Sequence, residues 1–304
     1  MKINNLDFKS VNAIQFHKRF PDDITCYEYI AKAKWPDKGF ACKKCGYHKY
    51  SRGKKPYSRR CQRCRHDESP TAGTAFDKVK FSLHIAFHIL FKVSVRKKGL
   101  SSLELSREFG LRQKTCWAFK RKIQQVMKSS EKYPLVDEVH VDECVIGGPE
   151  EQKRGRSHGD KKIVIVALEI RNPGVGRAYA QVVQDYSSKS FKPFFEKHIS
   201  NDAIIKTDEW TGYKPLKEDY PNLIQLPSKS GKGFPDLHIH IMNLKGWIRG
   251  VHHHCSNEYM QGYLNEYHFR FNRRNSEEVL FNTLIKKMVE NDAIRMNQIK
   301  HRDT

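Results

Sequence analysis

The spacing of hydrophobic positions changes character several times along the chain. Residues 1–35 carry Phe16, Phe20, Tyr27, Tyr29 and Ile30 as anchors of short helices. Residues 36–75 show little periodicity and are rich in Cys, Gly, Lys and Arg. Residues 76–130 return to helical spacing. Ser101 and Ser102 precede Leu103, Leu105 and Phe109, then Gly110 breaks the pattern and RQKTCWAFKRKIQQVM resumes it. A short Gly-containing break between two helical runs is the signature of a helix-turn-helix. The stretch SSEKYP (129–134) marks a boundary.

Beyond it, strand-like runs dominate. LVDEVHVDECVIGG alternates, with Val139 and Val141 on one side, Cys144 a candidate for the same side, and His140 and Asp142 on the other. KKIVIVALEI and RAYAQVVQD read as two more strands, SKSFKPFFEKHI as a helix, and AIIKTDEWTGY as a strand ending at Asp208. LIQLP follows, then a helix over DLHIHIMNLKGWIRGVHHH. The last part, 276–304, reads as a polar helical tail. The predicted fold class is multidomain α+β, with segments 1–35, 36–75, 76–130, 131–275 and 276–304.

Charge sharpens this division. The chain has 56 Lys+Arg against 34 Asp+Glu over 304 residues, a net charge of +22. Residues 1–130 hold 30 basic and 10 acidic side chains, and residues 131–304 hold 26 and 24. A surplus confined to the front half predicts nucleic acid as its partner. The longest apolar run, Phe81 to Val93, is interrupted by His84 and His88, so no membrane span is expected. The sequence MKINNLDFKS has no apolar core, which predicts no secretory signal and a cytoplasmic, nucleoid-associated location.

The unperiodic segment has its own chemistry. Cys42-x2-Cys45 and Cys61-x2-Cys64 are separated by fifteen residues. Each turn can present two thiolates to one metal, and the intervening hairpin closes a tetrahedral site, so structural Zn2+ is expected. That hairpin carries Lys49, Arg52, Lys54, Lys55, Arg59 and Arg60 among Tyr47, Tyr50 and Tyr57, which suits phosphate contacts. In the second helix of the helix-turn-helix, Arg112, Gln113, Lys114 and Lys120–Lys122 are expected outward, with Trp117 and Ile123 inward. The DNA contacts expected here are Lys54, Lys55, Arg59, Arg60, Arg112, Lys114, Lys120 and Arg121. Cys26, Cys116, Cys144 and Cys255 share no spacing and read as buried small hydrophobes.

Three strands, a helix, a fourth strand and further helices is the element order of the RNase H-like fold, which has a mixed five-stranded sheet. That fold sets acidic residues on its first strand, at the end of its fourth and on a later helix. Asp142 and Asp208 fill the first two places. Asn243, 35 residues after Asp208, fills the third. Two Mg2+ or Mn2+ ions can clamp the attacking and leaving oxygens of a phosphodiester, and hard cations take oxygen ligands. Glu143 should point to the face opposite Asp142, in a supporting role.

The motifs FACKKCG, CQRCR, TAGTAFDKVKFSLHIAF, VDECVIGG, TDEWTGY, NLKGWIRGVHHHCS and YLNEYHFRFNRR, from about residue 16 to 274, resemble those of bacterial insertion-sequence transposases of the DDE superfamily. The group it resembles joins an N-terminal zinc ribbon to an integrase-like catalytic domain, and its Asn-bearing subgroup matches Asn243. The resemblance implies binding of terminal inverted repeats in double-stranded DNA, then metal-dependent strand cleavage and strand transfer. It implies catalytic roles for Asp142, Asp208 and Asn243, and a basic residue, Lys245 or Arg249, near the phosphate. It also implies a homo-oligomer on DNA. A DNA-binding regulator with an inactive domain, or a nuclease without strand transfer, are the alternatives. His252–His254, being consecutive, are not expected to chelate one ion. Tyr263, Leu264, Tyr267, Phe269 and Phe271 should pack on the sheet, and Arg270, Arg273 and Arg274 line the DNA path or cap a helix end.

Overall fold

The computed structural model describes residues 6–36, 39–147, 161–229, 232–252 and 257–295. The chain divides into two compact units. One gathers the residues up to Met127 with those from Arg273 onward, and the other runs Lys128–Asn272.

In the first unit, helices α1 (Ala13–Arg19) and α2 (Asp23–Lys34) begin at Asn12 and Asp22, whose side chains accept from backbone N–H groups of the first turn. They lead to strands β1 (Tyr50–Arg52), β2 (Arg59–Cys61) and β3 (Asp67–Glu68), an antiparallel sheet in that order. Three helices follow: α3 (Leu83–Val95), α4 (Ser102–Phe109) and α5 (Gln113–Val126). Ser101 and Glu104 form a capping box at the start of α4. Gly110 ends the helix at φ 63°, in the left-handed region that glycine adopts without strain. The break anticipated at Gly110 is therefore a turn between two helices.

The aromatic anchors of the first 35 residues build this unit's core with a helix from the far end of the chain. Phe16 stacks on Phe91 at 4.2 Å, and Phe8 meets Phe281 edge-on at 5.7 Å. The Tyr29 hydroxyl donates to Asn282 Oδ1 at 2.5 Å. Phe281 and Asn282 lie on α9 (Leu280–Glu290), which buries Leu280, Phe281, Leu284, Ile285 and Met288. The tail segment is thus amphipathic rather than polar. Its apolar residues recur at helical spacing, and they bury against α2 and α3. Residues 296–304 of that segment lie outside the described residues.

The second unit is a five-stranded mixed sheet in the order β6-β5-β4-β7-β8. Its strands are β4 (Glu138–Ile146), β5 (Lys162–Ile170), β6 (Val175–Val183), β7 (Ile204–Thr207) and β8 (Leu223–Gln225). The three long strands pair antiparallel, while β7 runs parallel to β4 and β8 parallel to β7. Helix α6 (Ser188–His198) and a 3-10 stretch, Thr211–Glu218, cover one face. There Phe191, Phe194, Phe195 and Tyr213 pack on Val139, Val141 and Ile165. Helices α7 (Pro235–Val251) and α8 (Met260–Phe271) cover the other, with Leu237, Ile241 and Leu264 on Ile146, Val164 and Val166. Tyr263, Tyr267 and Phe271 join this layer as expected.

Cys144 corrects one expectation. It packs on the α7 face, opposite Val139 and Val141, because strict alternation gives even-numbered β4 positions to that side. Cys26, Cys116 and Cys144 are buried, and Cys255 lies outside the described residues. No helix among the described residues is long and apolar enough to cross a membrane.

Candidate functional sites

Two groups of metal-ligating side chains gather among the described residues. The first is Cys42, Cys45, Cys61 and Cys64. Pairing of Tyr50 with Cys61 in the β1–β2 hairpin brings the second CxxC turn back onto the first. Cys42 Sγ lies 3.5 Å from Cys64 Sγ, and Cys45 Sγ lies 3.6 Å from Cys61 Sγ. Four thiolates about 2.3 Å from a tetrahedral Zn2+ stand about 3.8 Å apart, so the set fits zinc. At Cys61 burial opposes ionisation, but backbone N–H groups of Cys64 and Arg63 donate to the sulfur and its pKa falls to about 7. The thiolate that a metal needs is favoured at that position.

The second group is Asp142, Glu143 and Asp208, whose ligand atoms lie within 4.8 Å of one another. The sheet explains the meeting of the aspartates. Glu138, Val139 and His140 of β4 stand level with Ile204, Ile205 and Lys206 of β7. Continuing that register brings Asp142 level with Asp208, on the same face of adjacent parallel strands. The Asp208 side chain also accepts from the Trp210 backbone N–H at 3.0 Å, and Gln225 donates to the Asp208 carbonyl at 3.2 Å. These bonds fix the chain where β7 ends.

Glu143 faces the other side of the sheet, as alternation requires. There it accepts a 2.6 Å hydrogen bond from the Tyr213 hydroxyl. Burial, followed by the Glu143 charge, pushes that phenol well above its ordinary value, so it remains a donor. Glu209 is exposed.

Helix α7 brings a further side chain to the aspartates. His238, in the first turns of α7, places Nε2 3.6 Å from Asp142 Oδ2. Asn243 is exposed on the same helix. Five residues on a helix of 3.6 residues per turn put it about 140° around from His238. The two residues therefore lie on different sides of α7. Lys245 and Arg249 lie seven and eleven residues beyond His238, each about 20° from its stripe. Lys245 is half-buried, Arg249 exposed. Burial pushes the Cys144 thiol up to about 12, opposed by the Lys245 charge.

The expected DNA contacts separate into two sets. Lys54, Lys55, Arg112 and Lys114 are exposed. Arg59 is half-buried, its guanidinium between Tyr50 at 4.1 Å and Trp35 at 4.5 Å, and Arg60 lies 3.7 Å from Asp67. Lys120 and Arg121 are only 4% and 7% exposed, which corrects their outward placement. Lys120 stands one turn from both Cys116 and Ile123 on the buried stripe of α5, and its Nζ donates to the Leu100 carbonyl. Arg121 donates to Gln124 Oε1 at 2.8 Å and lies over the Trp117 ring, which is itself half-buried. Arg270 is half-buried, 3.6 Å from Glu266. His252 rests against Tyr263 at 4.2 Å, while His253 and His254 lie outside the described residues.

The two clusters define a protein with one thiolate site fit for zinc and one carboxylate site fit for hard divalent cations. Residues 134–272 match the family described as the ISXO2-like transposase domain, and residues 21–67 match the transposase zinc-ribbon domain. The first match spans the five-stranded sheet with its helices, and the second spans α2 and the cysteine-bearing hairpin. A solved structure, "Crystal structure of a pre-cleavage Mos1 transpososome", aligns over 68% of this chain and 78% of that chain at 13% identity with a TM-score of 0.28, too low to support any argument. No curated protein matches the chain.

Proposed function

We propose that the chain is a DNA transposase of the DDE type, with His238 rather than Asn243 in the third place. The observation that carries this is the meeting of Asp142 and Glu143, midway along β4, with Asp208, just past the end of its parallel neighbour β7, and with His238 beside Asp142, inside the transposase-matched residues. The strand order, with β4 central and antiparallel to β5 but parallel to β7, supports an RNase H-like arrangement.

Asp142 and Asp208 would hold divalent Mg2+ or Mn2+, with His238 contributing a nitrogen. When bound, such cations supply positive charge against the oxygens of an in-line phosphodiester displacement. Asp142 would hold the cation from the central strand, level with Asp208 past the end of β7. Lys245, near the same face of the sheet, would orient a strand phosphate, a role in which Lys acts as a point charge. In the other unit, Lys54 and Lys55 in the ribbon turn, and Arg112 and Lys114 at the start of α5, would hold the ends of the element. The paired helices α4 and α5 support a helix-turn-helix reading. Arg59 and Arg60, engaged by aromatic rings and Asp67, would shape that surface more than reach from it. Two ends must be joined in transposition, so a homo-oligomer on DNA belongs to this reading.

The test is strand cleavage and joining on DNA bearing the element's inverted repeats. Asp142→Ala and Asp208→Ala should each abolish both while end binding survives. Cleavage without joining would indicate a nuclease, and binding without cleavage by the unsubstituted protein a regulator.

A further inference from the structure

Glu143 and the Gly212–Tyr213 pair have no task in the reaction as described, yet the fold brings them together across 70 residues of sequence. Tyr213 is fully buried, its ring stacked on Phe191 at 5.0 Å. Its approach depends on Gly212. A Cβ there would stand 2.2 Å from the Tyr186 carbonyl oxygen and 2.7 Å from Trp210 Nε1. Trp210 Nε1 in turn donates to that same carbonyl at 2.9 Å. The turn bearing Tyr213 is therefore held by backbone packed too closely for any side chain at position 212.

Two facts about the carboxylates need reconciling. Alternation sends the Asp142 and Glu143 side chains to opposite faces of β4, yet ligand atoms of both lie within 4.8 Å of one from Asp208. A mobile Glu143 would be repelled from its neighbours, because like charges at this range disfavour one another. The 2.6 Å bond from a buried phenol opposes that drift. A hydrogen bond to an ionised acceptor in low dielectric is among the stronger kinds. Unlike a salt bridge, it fixes the carboxylate without cancelling its charge. A carboxylate has about four lone-pair directions, so one bond does not exhaust it.

We propose that Glu143 is a member of the cation-holding set with Asp142 and Asp208, and that Tyr213 is the positioning residue that keeps its carboxylate there. The proposal rests on reading this cluster as a divalent-cation site. It gives the two motifs a shared purpose: the glutamate of VDECVIGG is the ligand, and the glycine and tyrosine of TDEWTGY are its clamp.

The experiment measures Mn2+ binding to the full-length, zinc-loaded protein by the electron paramagnetic resonance signal of free Mn2+, with no DNA present. Tyr213→Phe keeps the ring in the core and deletes only the hydroxyl. It should weaken Mn2+ binding by about 10- to 100-fold, the usual size for loss of a group that orients a ligand. Glu143→Gln should weaken binding at least as much. The double variant should be no worse than Glu143→Gln alone, since the tyrosine acts through the glutamate. Unchanged binding in Tyr213→Phe, or penalties that add in the double variant, overturns the proposal. Should Tyr213→Phe fail to fold, Glu143→Gln decides, with unchanged Mn2+ binding overturning the assignment and weakened binding supporting it. Asp142→Asn separates the two layers of argument. If it loses Mn2+ while the other variants keep it, only the present inference fails. If the unsubstituted protein binds no Mn2+, both fall. If Mn2+ binding follows this pattern but no element ends are cut, the inference stands without the transposase reading.

Discussion

The thiolate and carboxylate clusters gather like-charged ligands by different routes. Cys42 and Cys64 are 22 residues apart, and one hairpin suffices to join them. Asp142, Asp208 and His238 come from a central strand, the end of its parallel neighbour and a helix beyond both, across a span of 96 residues. The ribbon's strands are two or three residues long, and its core consists of Ala31, Trp35, Phe40, Cys42 and Cys61 with partly buried neighbours. Such a core is too small to hold the turns together, so metal binding there is folding energy. Asp142 and Glu143 stand on a nine-residue strand and Asp208 just past a four-residue one, in a sheet with an apolar layer on each face. That scaffold should hold its shape whether or not a cation is bound.

The largest expected effect tests this difference directly. Stripping zinc, or Cys61→Ser, removes on the order of 10 kcal/mol of metal-linked folding energy from the ribbon. Hydrogen exchange should show the amides of Gly53, Cys61 and Gln62, bonded to Ser58, His66 and Lys49 carbonyls, losing protection. The β4–β5 amides should be unaffected by either chelation or Asp142→Asn. Protection retained in a zinc-free ribbon would break the comparison.

The next effect concerns the carboxylate site. His238→Ala should reduce strand cleavage by about 10²- to 10³-fold, the scale of losing one charge-handling group in an active site. Asn243→Ala, on an exposed face, should stay within about twofold of the unsubstituted protein. Single-turnover cleavage of an end substrate checks both. The reverse pattern would restore Asn243 to the third place and put α7 in a different rotation.

These contrasts also explain what the sequence could reveal. The CxxC pairs were legible because their chemistry is local: spacing alone fixes which sulfurs can meet. Asp142 and Asp208 were legible because strand order and register follow from alternation and connection rules. The approach of His238 to Asp142 was not, because nothing in a linear window determines how α7 is rotated over the sheet. That rotation is set by Leu237, Ile241, Leu244 and Ile248 burying on Val164 and Val166. Lys120 and Arg121 misled for a related reason. A basic residue reads as outward by type, but the long Lys120 stem can lie along the apolar stripe while its ammonium reaches a carbonyl. The tail failed by the same logic, since α9's partners lie at the opposite end of the chain.

Acid should affect the two sites through different groups. In the sheet unit, burial followed by the Lys197 and Lys128 charges holds His198 at about 4, and burial holds His268 at about 4. Both folded values lie below the ordinary 6.5. The unfolded chain therefore binds more protons between these limits, and the stability present above about pH 6.5 is lost as pH falls toward 4. At pH 5 the loss is about 2 kcal/mol per histidine. Urea unfolding at pH 7, 6 and 5 should show it equally with and without divalent cation. Acid loss at the ribbon should instead track zinc release, because protons compete with the metal for thiolate. A sheet unit whose acid sensitivity vanished on adding Mn2+ would show that the carboxylates, and not the histidines, govern it.

The smallest effects should come from the exposed basic residues, and here the comparison moves from metals to DNA. Arg112→Ala and Lys114→Ala, at the open end of α5, should each weaken end binding modestly. Each should also reduce the slope of log affinity against log salt by about one, if each neutralises one phosphate. Lys54→Ala and Lys55→Ala in the ribbon turn should behave alike. Lys120→Ala should act by another route. It removes a buried stem and leaves the Leu100 carbonyl without its ammonium donor, so the melting temperature should fall and the salt slope should not. Measuring melting and salt dependence together on Lys114→Ala and Lys120→Ala separates a contact residue from a packing residue six positions away on one helix. A salt slope changed by Lys120→Ala with melting intact would mean that this side chain leaves its pocket to meet DNA.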